Sequence, residues 1–254
     1  MSALPLVLPQ LVARGGNAAE FPQNSLPSLR SALEMGARHV GFDVQLTADH
    51  IPVLLQSDDV GDQSASPRDT SKTRWEDLAA ISLGETQRFG KRFSDVGIPS
   101  LGQAAELLSA YPNVLALIEI NSASLREFGH QLTVRRIVDA LHVVRRQCVI
   151  VASDLTALHF TRLNFDLPIG WLLSDYSARS ALKAESFAPN YLVCDHQLLP
   201  AEGRLWRGPW CWVIYDVASR QLALEYAARG ASLIETTAIR TLLREFRELK
   251  LAAG

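Results

Sequence analysis

The sequence predicts a parallel α/β barrel, the eight-fold (β/α)8 or TIM-barrel arrangement. Three observations predict it. Short β-rich runs alternate with amphipathic stretches about eight times along 254 residues. Several of these runs are continuously apolar, as strands are when both faces of a parallel sheet are covered. The turn after the first run, Arg14-Gly15-Gly16-Asn17, lacks the G-x-G-x-x-G spacing usual in the competing doubly wound sheet.

The first strand, 10–13, leads through Gly15 and Gly16 to a helix at 25–35. The second strand, 39–45, is followed by a stretch that breaks the rhythm. Within 47–97 there is a short apolar run at 51–55, a polar loop at 57–73, a short helix at 75–80 and a further loop to Gly97-Ile98-Pro99. That is too long for a simple βα connection, so a small insertion after the second strand is expected, on the C-terminal face of the barrel. A helix at 101–108 precedes the third strand, 114–120. A helix at 125–144, a strand at 148–152, a helix at 155–163, a strand at 169–173 and a helix at 176–184 follow. Strands at 191–194, 211–215 and 232–235, a helix at 219–229 and a last helix at 239–251 complete the barrel. The chain 1–254 is expected to be one barrel domain.

Composition narrows the function. The chain is 48% hydrophobic, and 25 Lys+Arg against 27 Asp+Glu leave a net charge of −2. This excludes a disordered chain and argues against a nucleic-acid or anionic-membrane surface. No apolar run approaches the ~20 residues of a membrane span. Residues 1–10 lack a secretory pattern, so a cytoplasmic location is expected. Cys148, Cys194 and Cys211 are far apart in apolar stretches, which reads as three buried, inert thiols.

Three charged residues sit at strand ends, where such a barrel keeps its active site. Arg14 ends the first strand. Asp43 lies in Val40-Gly41-Phe42-Asp43-Val44-Gln45, where alternation puts Gly41, Asp43 and Gln45 on one face. Glu119 lies in Leu117-Ile118-Glu119-Ile120-Asn121 and shares a face with Asn121. A carboxylate inside an apolar strand is costly unless paired or metal-bound. Asp43 and Glu119 therefore either share a cation or pair with Arg14. Trp171, Trp212 and Tyr215 read as core packing, with the barrel mouth as the alternative.

These residues lie in a longer pattern. Leu11-Val12-Ala13-Arg14-Gly15-Gly16 is similar to an H-R-G opening, and Phe21-Pro22-Gln23-Asn24-Ser25 to P-E-N-T. Gly36 to Gln45 is similar to G-A-D-x-x-E-x-D-V-Q, and Asp49-His50-Ile51-Pro52-Val53 to D-G-x-P-V. Gly97 to Leu101 is similar to G-x-P-T-L, Ile118-Glu119-Ile120 to I-E-I-K, and Gly230 to Thr236 to the start of G-V-D-G-I-I-T-D. Seven segments in order resemble the glycerophosphodiester phosphodiesterase family. The resemblance implies a (β/α)8 barrel and metal-dependent hydrolysis of a phosphodiester to an alcohol and sn-glycerol 3-phosphate, in glycerophospholipid metabolism. It implies Arg14 as the phosphate-binding residue and Asp43 and Glu119 as ligands of Mg²⁺ or Ca²⁺.

The same resemblance marks replacements. The two catalytic histidines fall at Ala13 and Gln56, and the third metal ligand at Gly41. Gln23, Asn121, Val217 and Thr237 replace a Glu, a Lys, an Asn and an Asp. Alanine and glutamine do not exchange protons near neutral pH. Lost or strongly impaired catalysis is expected, with a residual phosphate pocket at Arg14 and the Gly15 and Gly16 N–H groups, and with weakened cation binding. An active phosphodiesterase or lyase with a rebuilt site, using His196, Asp58 or Asp59, is the alternative. A scaffold or interaction protein with a vestigial pocket is the third reading. His39 is expected at the wrong end of the barrel, His50 in a hairpin turn, and His130, His142 and His159 on outer helices.

Overall fold

The computed structural model describes residues 8–56, 59–60 and 68–253. Eight parallel strands close on themselves. They are β1 (Gln10–Arg14), β2 (His39–Leu46), β6 (Leu115–Ile120), β7 (Cys148–Ala152), β8 (Ile169–Leu172), β9 (Tyr191–Asp195), β10 (Cys211–Tyr215) and β11 (Leu233–Thr236). Strand β1 pairs with β2 on one side and β11 on the other, and that double pairing is the closure. Three further short strands lie in the insertion: β3 (Pro52–Leu54), β4 (Asp59–Val60) and β5 (Arg68–Asp69).

Around the barrel run α1 (Leu26–Glu34), α4 (Leu101–Ser109), α5 (Ser122–Ala140), α6 (Leu155–Phe165), α7 (Ala178–Phe187), α8 (Arg220–Arg229) and α9 (Ile239–Ala253). Between β9 and β10 the connection is a loop with one 3₁₀ turn, as the predicted elements implied. The helices begin where side chains can accept from free N–H groups. Ser25, Asp154, Ser177 and Ser219 each cap this way, and Ser100 with Gln103 forms a capping box. The predicted helix 125–144 differs from what is observed. It ends at Ala140, and its backbone breaks at Gly129 (φ 75°).

Two apolar layers result from strand alternation. Val12, Leu117, Val149, Val151, Val193, Val213 and Leu233 fill the barrel interior. The other faces, with Val40, Phe42, Ile118, Ile150, Ile169 and Ile214 among them, pack against the helices in the larger outer layer. Trp171 and Trp212 belong to this outer layer. The free cysteines divide. Cys148 and Cys194 are buried, and burial pushes both thiols up to about 12. Cys211 is exposed, against expectation, because it is the first residue of β10, at the open N-terminal end of the barrel.

The insertion has its own small core. Strand β3 folds back antiparallel on β2, and Val53, Leu55, Leu78 and Ile98 pack together. Helices α2 (Trp75–Ala79) and α3 (Thr86–Phe89) follow. Phe93 packs on Phe21 at 5.4 Å between ring centroids, so the insertion is anchored to the β1–α1 loop. Among the described residues, no helix is long and apolar enough to cross a membrane.

Ile150 is fully buried, whereas Leu182 is 67% exposed. Ile150→Ala is expected to lower unfolding free energy by about 2–5 kcal/mol, and Leu182→Ala by about 0.5 kcal/mol or less, measured by urea denaturation.

Candidate active site at the barrel mouth

The site is assembled by the turn that follows β1. Gly15 adopts φ 60°, and a Cβ there would meet Gln23 Cγ at 2.1 Å. Glycine takes this conformation without strain, and a side chain here would have to displace that of Gln23. Asn24 adopts φ 58°, a left-handed conformation that asparagine tolerates better than most residues. That conformation aims its amide at β2. Asn24 Nδ2 donates to Asp43 Oδ2 at 3.1 Å, and the Asp43 N–H donates to Asn24 Oδ1 at 3.4 Å.

Alternation on β1 sends Val12 into the barrel and Arg14 to its mouth. The guanidinium meets three carboxylates from three strands. Arg14 Nη2 lies 3.4 Å from Asp43 Oδ1, and Nη1 lies 3.6 Å from Glu119 Oε2 and 3.5 Å from Glu235 Oε1. Asp43 and Glu119 are register partners on β2 and β6, which brings their carboxylates side by side. Tyr215 closes the set, with the Arg14 guanidinium carbon 5.4 Å from its ring centroid. Tyr215 thus belongs to the mouth, where the favoured core reading had not placed it.

The electrostatics follow from one guanidinium facing three acids. Burial drives the Glu119 carboxyl up to about 7, with Asp43 adding to the rise and Arg14 opposing it. Burial also raises Glu235, which is only 4% exposed. Arg14 is held above its ordinary value: burial works against the charge, but Glu235, Asp43 and Glu119 outweigh it. The Tyr215 phenol is pushed up to about 12 by burial and then by Asp195, so it stays protonated and can donate.

Glu235 is the participant that sequence reading missed. It stands in Leu233-Ile234-Glu235-Thr236, a carboxylate inside an apolar strand, the same signal that marked Asp43 and Glu119. The resemblance aligned it with an apolar position, and barrel closure alone brings β11 next to β1.

The other predicted positions distribute as follows. Ala13 is fully buried in the outer layer between barrel and helices. Gln56 is exposed, and its carbonyl accepts from Asn121 Nδ2 at 2.9 Å. Asn121 also caps α5. Gln23 sits over Gly15, and its N–H donates to Glu85 Oε1 of the insertion at 2.7 Å. The Gly15 N–H donates to the Gly41 carbonyl at 2.6 Å and the Gly16 N–H to the Ala13 carbonyl at 3.3 Å. These two donors are spent on the turn, which corrects the expectation that they were free for phosphate. Val217 is buried in the outer layer. Asp58 lies outside the described residues, as does the side chain of Asp59.

All six histidines can be placed. His39 starts β2, at the opposite end of the barrel. The His50 ring packs on Phe128 at 5.2 Å, and His130 on Phe160 at 5.6 Å. His142 Nδ1 lies 3.1 Å from the Asp139 carbonyl oxygen, and His159 is exposed on α6. The candidate catalyst His196 follows β9, but its ring lies 6.2 Å from Tyr226 of α8, which belongs to the outer layer.

The sequence model of the glycerophosphoryl diester phosphodiesterase family matches residues 14–199, well over half of the chain. The chain belongs to that family. Human glycerophosphodiester phosphodiesterase 1 is 29% identical over 99 residues, 39% of this chain and 30% of the relative. Glycerophosphodiester phosphodiesterase of Caldanaerobacter subterraneus is 28% identical over 112 residues, 44% of this chain and 45% of the relative. The chain thus spans less than half the length of these curated relatives. Among solved structures, an Oleispira antarctica phosphodiesterase in complex with the product sn-glycerol-3-phosphate superposes with a TM-score of 0.81. That match is at 20% identity and covers 94% of this chain and 97% of the other. A putative glycerophosphoryl diester phosphodiesterase from Silicibacter pomeroyi gives 0.76 at 18% identity, covering 96% and 95%. These structural likenesses establish the shared barrel.

The family is generally dependent on a divalent cation, and the donor set at this mouth suits one. Three carboxylates offer hard oxygen ligands, and water or phosphate oxygens can complete the shell. Arg14 stands between them. Among the described residues, no group of three His, Cys, Asp or Glu side chains is arranged to hold a metal ion as it stands. The Arg14 contacts of 3.4–3.6 Å are longer than a tight charge-assisted pair of about 2.7–2.9 Å.

A raised carboxyl binds more protons in the folded chain than in the unfolded one. With Glu119 near 7, its contribution is favourable below its unfolded value and is lost as pH rises through 7. In EDTA, unfolding free energy is expected to fall from pH 4.5 to pH 8, and to fall less steeply in Glu119→Gln, measured by urea denaturation across that range.

Proposed function

We propose that the barrel mouth binds the phosphate of a glycerophosphodiester, or of the sn-glycerol 3-phosphate its hydrolysis leaves, and that turnover is strongly impaired. The observation that carries this reading is Arg14 among Asp43, Glu119 and Glu235, with His50, His130 and His196 against aromatic rings, His142 at the Asp139 carbonyl, His159 exposed on α6 and His39 at the far end of the barrel. A guanidinium presents a planar fork of donors that matches phosphate oxygens. Asp43, Glu119 and Glu235 would hold a Mg²⁺ or Ca²⁺ ion. Such an ion, when bound, polarises a phosphoryl oxygen and offsets charge developing in the transition state. Tyr215, protonated and beside Arg14, supplies a further hydrogen-bond donor at the rim.

Proton transfer is the weak step. Cleavage of the diester requires a proton on the leaving alkoxide and removal of one from the attacking group. A positioned general acid or base typically contributes about 10²–10⁴-fold. Without an imidazole at the mouth, that share of the rate is missing, while recognition and electrostatic stabilisation persist.

Calorimetric titration with sn-glycerol 3-phosphate in Mg²⁺ is the test. The wild type is expected to bind, and Arg14→Gln to bind roughly 10- to 150-fold more weakly, the equivalent of about 1.5–3 kcal/mol for bonds to a charged group. Absence of binding to the wild type would defeat the reading. Hydrolysis of glycerophosphodiesters is expected to run at least about 100-fold slower than in the Caldanaerobacter relative assayed alongside. Fast, metal-dependent turnover that disappears in Asp43→Ala/Glu119→Ala would instead establish a rebuilt active site.

A further inference from the structure

Position 41 has no side chain, and the space that one would occupy is filled. A Cβ built on Gly41 would lie 2.4 Å from Glu235 Oε1 and 3.4 Å from Glu235 Cδ. The two residues come from strands that are not neighbours. Gly41 is the register partner of Arg14, and Glu235 that of Val12, so β1 runs between them. Glu235 therefore reaches across β1 to place its carboxylate where a residue-41 side chain would point. Its own position is costly. It is buried between Ile234 and Thr236 in an apolar strand, and Arg14 Nη1 at 3.5 Å is its cationic partner. A buried carboxylate persists only where paired charge or hydrogen bonds hold it. Arg14 must also serve Asp43 and Glu119, so with all three carboxyls ionised two negative charges would be in excess at the mouth. A divalent cation bound there would offset that charge.

We propose that Glu235 is the third carboxylate of the cation pocket, supplied from β11 into the space that Gly41 leaves open, so that positions 41 and 235 form an exchangeable pair. The pocket is then a complete three-carboxylate site with one ligand moved from β2 to β11. Glycine at 41 is a steric requirement of that move, because any side chain there would evict Glu235. This inference rests on the cation-assisted phosphate site proposed above.

The test is Mn²⁺ binding to the full-length protein, read by electron paramagnetic resonance of free and bound ion. The wild type is expected to bind one Mn²⁺ at the mouth. Glu235→Gln and Gly41→Ala are each expected to weaken binding at least about 10-fold, the first by removing a ligand charge and the second by displacing it. Gly41→Glu/Glu235→Ala is expected to return to within about 3-fold of the wild type. If Glu235→Gln binds Mn²⁺ as the wild type does while Asp43→Asn does not, the cation site stands and the role of Glu235 is wrong. If the wild type binds no Mn²⁺, the inference fails. Phosphate binding at Arg14, measured separately without metal, then decides the broader reading. Should the Glu235 variants fail to fold, anomalous diffraction from Mn²⁺-soaked wild-type crystals gives the same decision. Manganese within about 2.6 Å of a Glu235 oxygen supports the proposal, and manganese bound without Glu235 overturns it.

Discussion

The charge on Arg14 organises the mouth of this barrel. Three carboxylates on β2, β6 and β11 are brought together by strand register and closure, and each would be expensive alone in so dry a place. The guanidinium lowers that cost without cancelling it, and Glu119 stays raised to about 7 as a result. Much of the surrounding backbone serves the same end. The left-handed Asn24 directs an amide to Asp43, the Gly15 turn lets Arg14 leave β1 at the rim, and Gly41 clears space for Glu235. A site built around residual charge is suited to binding something charged. Its acids outnumber its one guanidinium three to one.

The fold was largely readable because a parallel barrel writes itself in runs of one residue class. All eight barrel strands lie within a residue or two of the predicted positions, since buried β-branched runs between helices have few other uses. The helix at 125–144 was overextended because its apolar pattern continues past Ala140, while the turn at 141–144 is fixed by packing of Leu141 and Val144 against the outer layer. The site was half readable. Arg14, Asp43 and Glu119 were visible as charges inside apolar strands. Glu235 carried the same signal but drew no attention, because Arg14, Asp43 and Glu119 lie 221, 192 and 116 positions away and become its neighbours only through closure. Tyr215 was ambiguous for a related reason: the parity of a strand is legible, but whether its last residue reaches the rim is set by shear.

The substitution at position 13 does not bear on proton transfer at the mouth. Ala13 sits in the outer layer, so its identity alone says little about what the mouth can do. What bears on proton transfer is where the imidazoles lie. His50, His130 and His196 lie against aromatic rings, His142 against the Asp139 carbonyl, His159 on an exposed helix face and His39 at the far end of the barrel. Among the described residues, the titratable side chains placed around Arg14 are three carboxyls and one phenol. The phenol of Tyr215, near 12, cannot act as a base at neutral pH.

That leaves the carboxylates with two incompatible duties. A carboxylate that coordinates a cation must be ionised, and the same cation lowers its affinity for a proton. Glu119 near 7 describes the pocket with Arg14 as the countercharge among the described residues; a divalent ion beside it would drive that value down and withdraw it as a proton donor. Cation binding and carboxyl-based acid catalysis therefore compete for one side chain. An imidazole escapes this conflict because it can stand outside the ligand set and still titrate near neutrality. The arrangement gathers a guanidinium and three carboxyls at the mouth, and under the reading proposed above recognition of phosphate is the property that depends least on an independent proton carrier.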